Sequence, residues 1–292
     1  MWKFRYFVFL LILVFAQAIP AQSISSIAEN GYLLVDSKPF FPLGIYTEGI
    51  YDPPSFLNIT DSVASSGLNT LWVESAAVDE MDFSTFFSYG QTRNLKHIIG
   101  LPRYSQFPLD FPYWVNFYKQ FPSIIMWDIL DDANNYPLQE LITQRTRLDS
   151  LDTTRVTSQS MYSLGIVSQF APYTEMPAMQ GYPWGNGNDD LSQTYLTFSK
   201  FCDSVKTLGG VPMVDIQVFN WPGESYPSPE HLECQTYLSL VCGAKGIMYY
   251  TYLDYDANRP ISNSQQPLWQ KIKQNASEIL SPTLQPFPRT GR

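Results

Sequence analysis

Short apolar runs alternate along the chain with longer segments in which apolar residues recur every three or four positions. Such runs predict buried β-strands, and the 3.6-residue periodicity between them predicts amphipathic helices. The predicted strands are residues 40–46, 70–74, 96–101, 124–130, 155–160, 177–182, 212–219 and 246–252. The predicted helices are residues 55–66, 82–93, 113–120, 138–149, 191–208 and 229–242, whereas 161–175 has no convincing helical spacing.

Strands that alternate with helices over short connections are typical of parallel βα units. Eight such units in about 250 residues fit a closed barrel better than an open, doubly wound sheet. No predicted strand is followed by a glycine-rich phosphate-binding motif, so a nucleotide-cradling loop is not expected. The predicted fold class is therefore α/β, a (β/α)8 TIM barrel preceded by a short N-terminal β-hairpin.

The N-terminal residues have the composition of a secretory leader. Lys3 and Arg5 precede an apolar run over 7–16, and small residues follow at Ala18 and Ala21. This run is too short to cross a hydrocarbon layer of about 30 Å. We therefore predict export of the chain, as a secreted, periplasmic or cell-surface protein. The predicted organisation is a leader over 1–21, a barrel over 22–284 and a proline-containing tail over 285–292.

Composition narrows the classes of partner. The chain is 45% hydrophobic and 15% charged, which suits a large folded core rather than a disordered chain. The formal net charge is −9 and the lysines and arginines do not cluster, so neither nucleic acid nor an anionic membrane is a predicted partner. Aromatic residues are abundant, with 19 Phe, 19 Tyr and 7 Trp. Carboxylates and aromatic rings are thus the side chains most available for function.

Histidine and cysteine are scarce. His97 and His231 are too few for a histidine-rich metal centre, and His97 is predicted to be a satisfied core residue of the third strand. Cys202, Cys234 and Cys242 form no Cys-x-x-Cys pair, which leaves open a disulfide from Cys202 to either of the others, or buried thiols. We predict no metal and no cofactor.

Catalytic groups of a TIM barrel lie at the C-terminal ends of the strands and in the loops that follow. Here the strongest candidates are Asp131 and Asp132, which directly follow the fourth predicted strand. Two adjacent carboxyls repel each other, which raises the pKa of one and lets it act as a general acid. Alternatively, one of them caps the helix predicted from residue 138. The other carboxylates near strand ends are Glu48, Glu74, Asp189, Asp190, Asp254 and Asp256.

The segment from Trp127 to Asp132, WDILDD, resembles the Trp-x-x-x-Asp-Glu-Pro stretch at strand four of secreted glycoside-hydrolase-like (β/α)8 barrels. Similar segments follow in matching order and spacing: QGYPWG at 180–185, IQVF at 216–219, YPSPE at 226–230 and GAKGIMYY at 243–250. Together the resemblance covers about residues 30–284. It implies a hydrolase that cleaves glycosidic bonds of an oligo- or polysaccharide, with Asp132 in the position of the proton donor.

Two departures from this pattern change what the resemblance implies. Asp132 stands where the family has Glu, so its side chain is one methylene shorter. Gln217 ends the seventh predicted strand, where a retaining glycosidase has a nucleophilic Glu, and a neutral amide cannot attack an anomeric carbon. Asp215, two residues earlier, is interpreted as a buried structural carboxylate.

Three mechanisms therefore remain open. An inverting enzyme would pair Asp132 with Asp254 or Glu74 across about 6.5–9.5 Å. Alternatively, the substrate supplies its own nucleophile while Asp131 and Asp132 assist. In the third case the barrel is a pseudo-glycosidase that binds carbohydrate without cleaving it. A non-sugar substrate is a further alternative.

Aromatic residues near the strand ends favour a carbohydrate ligand, because flat rings cover the C–H faces of sugars while Tyr and Trp bond the hydroxyls. Core packing is the alternative for several of these rings. Gln217, Asp131 and Tyr250 are expected to orient the substrate. The predicted catalytic residues are Asp131, Asp132 and Asp254, and the predicted substrate-binding residues are Tyr46, Glu74, Tyr182, Trp184, Gln217, Trp221 and Tyr250.

Overall fold

The computed structural model describes residues 25–47, 53–74, 80–185, 190–254 and 259–281. The predicted leader over 1–21 and the predicted tail over 285–292 lie outside the described residues. The candidate carboxylates Glu48, Asp189 and Asp256 also lie outside them, as does the side chain of Asp254.

Three short antiparallel strands come first: β1 (Ser25–Ile27), β2 (Leu33–Val35) and β3 (Lys38–Phe40). The predicted hairpin is the β2–β3 pair, whose two-residue turn has left-handed backbone at Asp36 and Ser37. Ser25 ties this sheet to the barrel, since its N–H donates to the Thr154 carbonyl at 3.1 Å and its hydroxyl oxygen accepts from the Val156 N–H at 2.9 Å.

Eight parallel strands then close into a barrel, in which the last strand pairs with the first through Ile247 and Leu43. All eight match the predicted strands to within three residues at either end, which confirms the predicted TIM barrel. The barrel strands are β4 (Leu43–Tyr46), β5 (Thr70–Glu74), β6 (Lys96–Gly100), β7 (Ile124–Asp128), β8 (Val156–Met161), β9 (Met176–Gly181), β10 (Met213–Gln217) and β11 (Ile247–Tyr250). A pair of two-residue strands follows, β12 (Leu253–Asp254) and β13 (Arg259–Pro260).

Helices connect the strands and cover the outside of the barrel. They are α1 (Pro53–Ser66), α2 (Glu80–Thr92), α3 (Phe111–Tyr118), α4 (Leu138–Asp149), α5 (Val167–Phe170), α6 (Leu191–Thr207), α7 (Pro229–Cys242), α8 (Ile261–Ser264) and α9 (Gln266–Ile279). The six predicted helices are present, and the segment 161–175 forms only α5 between short 3₁₀ turns. Helix α9 was not predicted, although its buried residues Leu268, Ile272, Ala276 and Ile279 recur at helical spacing.

The core has two layers, one inside the barrel and one between the strands and the helices. The inner layer includes Tyr46, Trp72, Met126 and Met248, and the hairpin residue Leu33 packs against it from the N-terminal end. Large side chains in the barrel interior make it a packed core rather than a pore. A ligand site is therefore expected outside this packed interior, at the C-terminal ends of the strands.

His97 lies in the outer layer between Phe86 and Phe87, with ring centroids 5.2 and 5.0 Å away. The predicted core position is confirmed, but neither ring nitrogen has a hydrogen-bond partner among the described residues, so the histidine is not satisfied. Burial lowers the pKa of His97 to about 3, with a smaller contribution from the charge of Lys96. The ring is therefore neutral at physiological pH.

No helix in the described part of the chain is long and apolar enough to span a membrane. Within the same residues, no group of three or more His, Cys, Asp or Glu side chains is arranged to hold a metal ion. Cys202, Cys234 and Cys242 are free thiols in the structure, with Cys202 in α6 and the other two in α7.

Candidate active site

A cavity of about 630 Å³ opens at the C-terminal ends of the barrel strands, where TIM barrels carry their active sites. Polar residues of its lining come from the loops after β7, β8 and β10 and from the end of β9. Aromatic residues come from the ends of β4 and β11 and from the loops after β9 and β10. The lining residues are Asp131, Asp132, Tyr162, Gln180 and Asn220, together with Tyr46, Tyr182, Phe219, Trp221, Pro222 and Tyr250.

The backbone at Asp132 brings two neighbouring carboxyls to the same cavity. Successive side chains of an extended segment point in opposite directions, so adjacent residues do not normally share a pocket. Asp132 instead has left-handed backbone, with φ 50° and ψ 47°. Asp131 and Asp132 are both half-buried and both line the cavity. Helix α4 begins after Pro137, and Asp132 makes no side-chain capping bond to the 3₁₀ turn it precedes.

Ser160 and Gln180 hold this acid pair in place. The Ser160 hydroxyl donates to Oδ1 of Asp131, and its oxygen accepts from the Asp132 N–H at 2.9 Å. Gln180 Nε2 donates to Oδ1 of Asp132 at 2.6 Å and to the Ser160 hydroxyl oxygen at 2.9 Å. Neither residue was a predicted site residue. Gln180 lies in a segment that carries the family resemblance and near the end of β9, which is the signal that could have revealed it.

Two further carboxyls lie in the barrel interior beside this pair, and the first is Asp128. Its Oδ2 accepts a hydrogen bond from Trp72 Nε1 at 2.8 Å, while its Oδ1 has no partner among the described residues. Burial raises the pKa of Asp128 to about 7, and the charges of Asp132 and Glu74 add to this rise. The hydrogen bonds from Trp72 and from the Leu130 N–H act in the opposite direction.

Asp215 is the second interior carboxyl and is fully buried. The Tyr46 hydroxyl donates to its Oδ2 at 3.2 Å. Burial, followed by the charges of Asp131 and Asp128, raises the pKa of Asp215 well above its ordinary value. Its complete burial and its hydrogen bond from Tyr46 suit a structural carboxyl and not a nucleophile.

The raised pKa of Asp128 predicts a pH-dependent stability. Above about pH 4 the unfolded chain has lost this proton. The stability that the proton contributes is full below that pH and is lost as pH rises through the folded pKa of about 7. The variant Asp128→Asn keeps an acceptor for Trp72 and has no proton to lose. Urea denaturation at about pH 5 and about pH 8 should show a smaller loss of stability in the variant. Equal losses in the two proteins would contradict the assignment.

The aromatic residues of the cavity contact one another in one continuous cluster. Tyr182 and Tyr250 stack with ring centroids 5.5 Å apart, and Phe219 meets both edge-on at 5.2 and 5.5 Å. Tyr46 contacts Tyr250 at 5.2 Å and Trp221 contacts Phe219 at 4.9 Å. The Trp221 indole N–H is buried and has no hydrogen-bond partner among the described residues. This cluster presents flat apolar faces next to the acid pair.

Gln217 and Trp184 were predicted to bind substrate, but Gln217 contacts Trp184 in the loop after β9 and neither residue lines the cavity. Gln217 is fully buried, and its amide accepts from the Trp184 N–H at 2.8 Å and donates to the Trp184 carbonyl at 2.9 Å. Trp184 packs on the ring of His231 at 4.1 Å. The Gln217 amide is thus already occupied by main-chain partners, in a role that the sequence pattern did not reveal.

The structure therefore brings together Asp131, Asp132 and four of the predicted binding residues, Tyr46, Tyr182, Trp221 and Tyr250. Glu74 ends β5 half-buried and does not line the cavity. Asp190 accepts from the N–H of Ser192 at 2.8 Å and caps α6. Among the described residues, the carboxylates that line the cavity are neighbours in sequence, and none faces them from the opposite strands.

Comparison with protein-family models gave no match, and neither did comparison with curated proteins. A solved structure described as a glycoside hydrolase aligns with a TM-score of 0.71 at 14% identity, over 89% of this chain and 75% of its own. An endo-β-1,4-mannanase from Thermotoga petrophila aligns with a TM-score of 0.64 at 12% identity, over 85% and 78%. A truncated 3-deoxy-D-arabino-heptulosonate 7-phosphate synthase from Thermotoga maritima aligns at 0.55 and 11%, over 90% and 93%. At these identities the similarity establishes the barrel fold.

Proposed function

We propose that this barrel hydrolyses glycosidic bonds, with Asp132 as the proton donor. The observation that carries the proposal is the left-handed turn at Asp132, which places two adjacent carboxyls in one cavity with an aromatic cluster. Strained backbone of this kind concentrates at functional sites. The similarity of the fold to glycoside hydrolases supports the same substrate class.

The hydrogen bonds assign different roles to the two acids. Gln180 holds Oδ1 of Asp132, while Oδ2 has no hydrogen-bond partner among the described residues. A proton on Oδ2 can therefore pass to the oxygen of the leaving group. Asp131 accepts the hydroxyl of Ser160 and lies in the cavity beside the proton donor. Its role is to bind a substrate group next to the bond that is cleaved.

Binding without cleavage is the second candidate, and one observation favours it. No carboxylate of the described residues faces the acid pair across the cavity, the Gln217 amide is occupied, and Asp215 is fully buried outside the cavity lining. A glycosidase that relies on two protein carboxylates places them on either side of the scissile bond.

A screen of oligo- and polysaccharides separates the two functions. Each glycan is tested for retention on the immobilised protein and for release of new reducing ends. If the barrel is a glycosidase, at least one glycan should be retained and should also release new reducing ends. Retention without release would support the pseudo-glycosidase, and absence of both would reject a carbohydrate ligand.

We also propose that the protein is exported, since residues 1–21 have the basic and apolar regions of a leader. N-terminal sequencing of protein recovered outside the cytoplasm should then start near Gln22. An N-terminus at Met1 would contradict removal of the leader.

A further inference from the structure

The arrangement of acids poses a chemical problem for hydrolysis. Asp132 can protonate a leaving group, but a second group must attack or stabilise the anomeric carbon. Gln217 is a neutral amide bound to the Trp184 main chain, and Asp215 is a fully buried carboxyl that does not line the cavity. Among the residues whose side chains the structure describes, the cavity-lining acid that remains is Asp131, which stands on the same segment as Asp132. Neighbours on one segment cannot flank a bond from opposite sides.

We propose that the nucleophile is a 2-acetamido group of the substrate, so that the site takes glycosides of 2-acetamido-2-deoxy sugars. This inference rests on the proposed hydrolytic function and specifies its substrate class. An acetamido group next to the anomeric carbon carries a nucleophilic carbonyl oxygen and an N–H. One acid must then receive the N–H while the other protonates the leaving oxygen, and two carboxyls side by side meet that need.

Hydrolysis proceeds in two steps and consumes only water besides the glycoside. The acetamido oxygen forms a bond to C1 as the bond from C1 to the leaving oxygen breaks, and Asp132 gives that oxygen its proton. Asp131 accepts the amide N–H proton, which leaves a neutral oxazoline. Water then attacks C1 and loses a proton to Asp132, while the bond from C1 to the oxazoline oxygen breaks. The nitrogen regains its proton from Asp131, and the sugar is released with retained configuration.

The surroundings of the acid pair fit this assignment. Ser160 donates to one oxygen of Asp131 and Gln180 donates to one oxygen of Asp132, so each carboxyl is fixed by a separate donor. The stacked rings of Tyr182 and Tyr250 offer an apolar surface for the acetamido methyl.

The test compares pairs of substrates that differ only at C2. One is 4-nitrophenyl 2-acetamido-2-deoxy-β-D-glucopyranoside, and its partner is 4-nitrophenyl β-D-glucopyranoside; the galacto pair is tested alongside. We expect the enzyme to hydrolyse a 2-acetamido substrate and to show no detectable hydrolysis of its 2-hydroxy partner. Mono-, di- and trifluorination of the acetyl group should lower kcat progressively, because fluorine withdraws electrons from the attacking oxygen.

The variant Asp131→Asn should lower kcat for the 2-acetamido substrate by about 10²-fold or more. It should also weaken binding of the corresponding thiazoline, a stable analogue of the oxazoline, measured by calorimetry. The matched control is Asp203→Asn, an exposed acid of α6 outside the cavity, which should change neither quantity.

The outcomes separate this inference from the proposed function. Hydrolysis of 2-hydroxy glycosides, or rates that do not respond to fluorination, would overturn the 2-acetamido assignment while glycosidase activity stands. Absence of hydrolysis in both series, together with no thiazoline binding, would overturn the proposed glycosidase activity as well as the 2-acetamido assignment.

Discussion

Replacement of Asp132 by Asn is expected to lower kcat/KM for glycosides with poor leaving groups by about 10²–10⁴-fold, the usual contribution of a general acid. The reason is that Asn cannot supply a proton to the leaving oxygen. The fold should be retained, because Asn adopts left-handed backbone as readily as Asp and can still accept the hydrogen bond from Gln180. Steady-state kinetics on a phenyl glycoside measures the loss, and circular dichroism checks the fold.

A change of leaving group distinguishes an acid from a residue that only supports the site. The 2,4-dinitrophenolate of a 2,4-dinitrophenyl glycoside can leave without being protonated. The Asp132→Asn variant should therefore regain most of its activity on that substrate. The control Asp203→Asn should behave like the wild type on both substrates. A loss of equal size for the two leaving groups would show that Asp132 is not the proton donor.

Replacement of Asp152 by Ala is expected to lower the free energy of unfolding by about 3–5 kcal/mol, because it leaves a buried cation unpaired. Asp152 and Arg155 form an ion pair at 2.8 Å with side chains 1% and 0% exposed. Asp152 also accepts from the Trp127 indole N–H at 3.0 Å and from the Thr154 N–H at 2.9 Å. Urea denaturation followed by tryptophan fluorescence at neutral pH measures the change.

The matched control for Asp152→Ala is Asp149→Ala, at an equally short but more exposed ion pair. Asp149 meets Arg145 at 2.8 Å with side chains 44% and 24% exposed, so its removal should cost no more than about 1 kcal/mol. A similar effect at both positions would show that burial does not govern the stability of these pairs.

The effect of Asp152→Ala should also depend on pH. Burial opposes ionisation of Asp152, but the hydrogen bonds from Thr154 and the charge of Arg155 outweigh it and lower the pKa of that carboxyl. Its contribution to stability is therefore present above about pH 4 and is lost as pH falls through the lower pKa of the folded state. The wild type and the variant should accordingly converge in strongly acidic solution.

The barrel could be predicted from the sequence because strands and helices have different periods of burial. The eight strands are apolar runs with turns between them, and each was recovered. Helix α9 was missed although Leu268, Ile272 and Ala276 repeat correctly, because it follows the last strand, where the alternating pattern no longer requires a helix. Local periodicity was thus sufficient to predict the alternating strands and helices, but not the helix that follows the last strand.

The candidate site was predictable only where position along a strand decides function. Asp131 and Asp132 could be chosen because they follow β7, and Tyr250 because it ends β11. The occupied amide of Gln217 could not be foreseen, because its partner is the main chain of a residue 33 positions away. Asp128 was likewise not chosen, since its pKa is set by burial that only the closed barrel creates.

The left-handed backbone of Asp132 has a consequence for which residues this position can hold. Asp and Asn adopt that conformation several times more often than most other residues. At Asp132 the main chain itself bends and brings this short side chain into the cavity. A substitution to Glu alone would add length on a backbone already curved for a shorter acid. The length of the acid at this position and the curvature of its backbone are therefore coupled, so that neither is expected to change alone without moving the carboxyl.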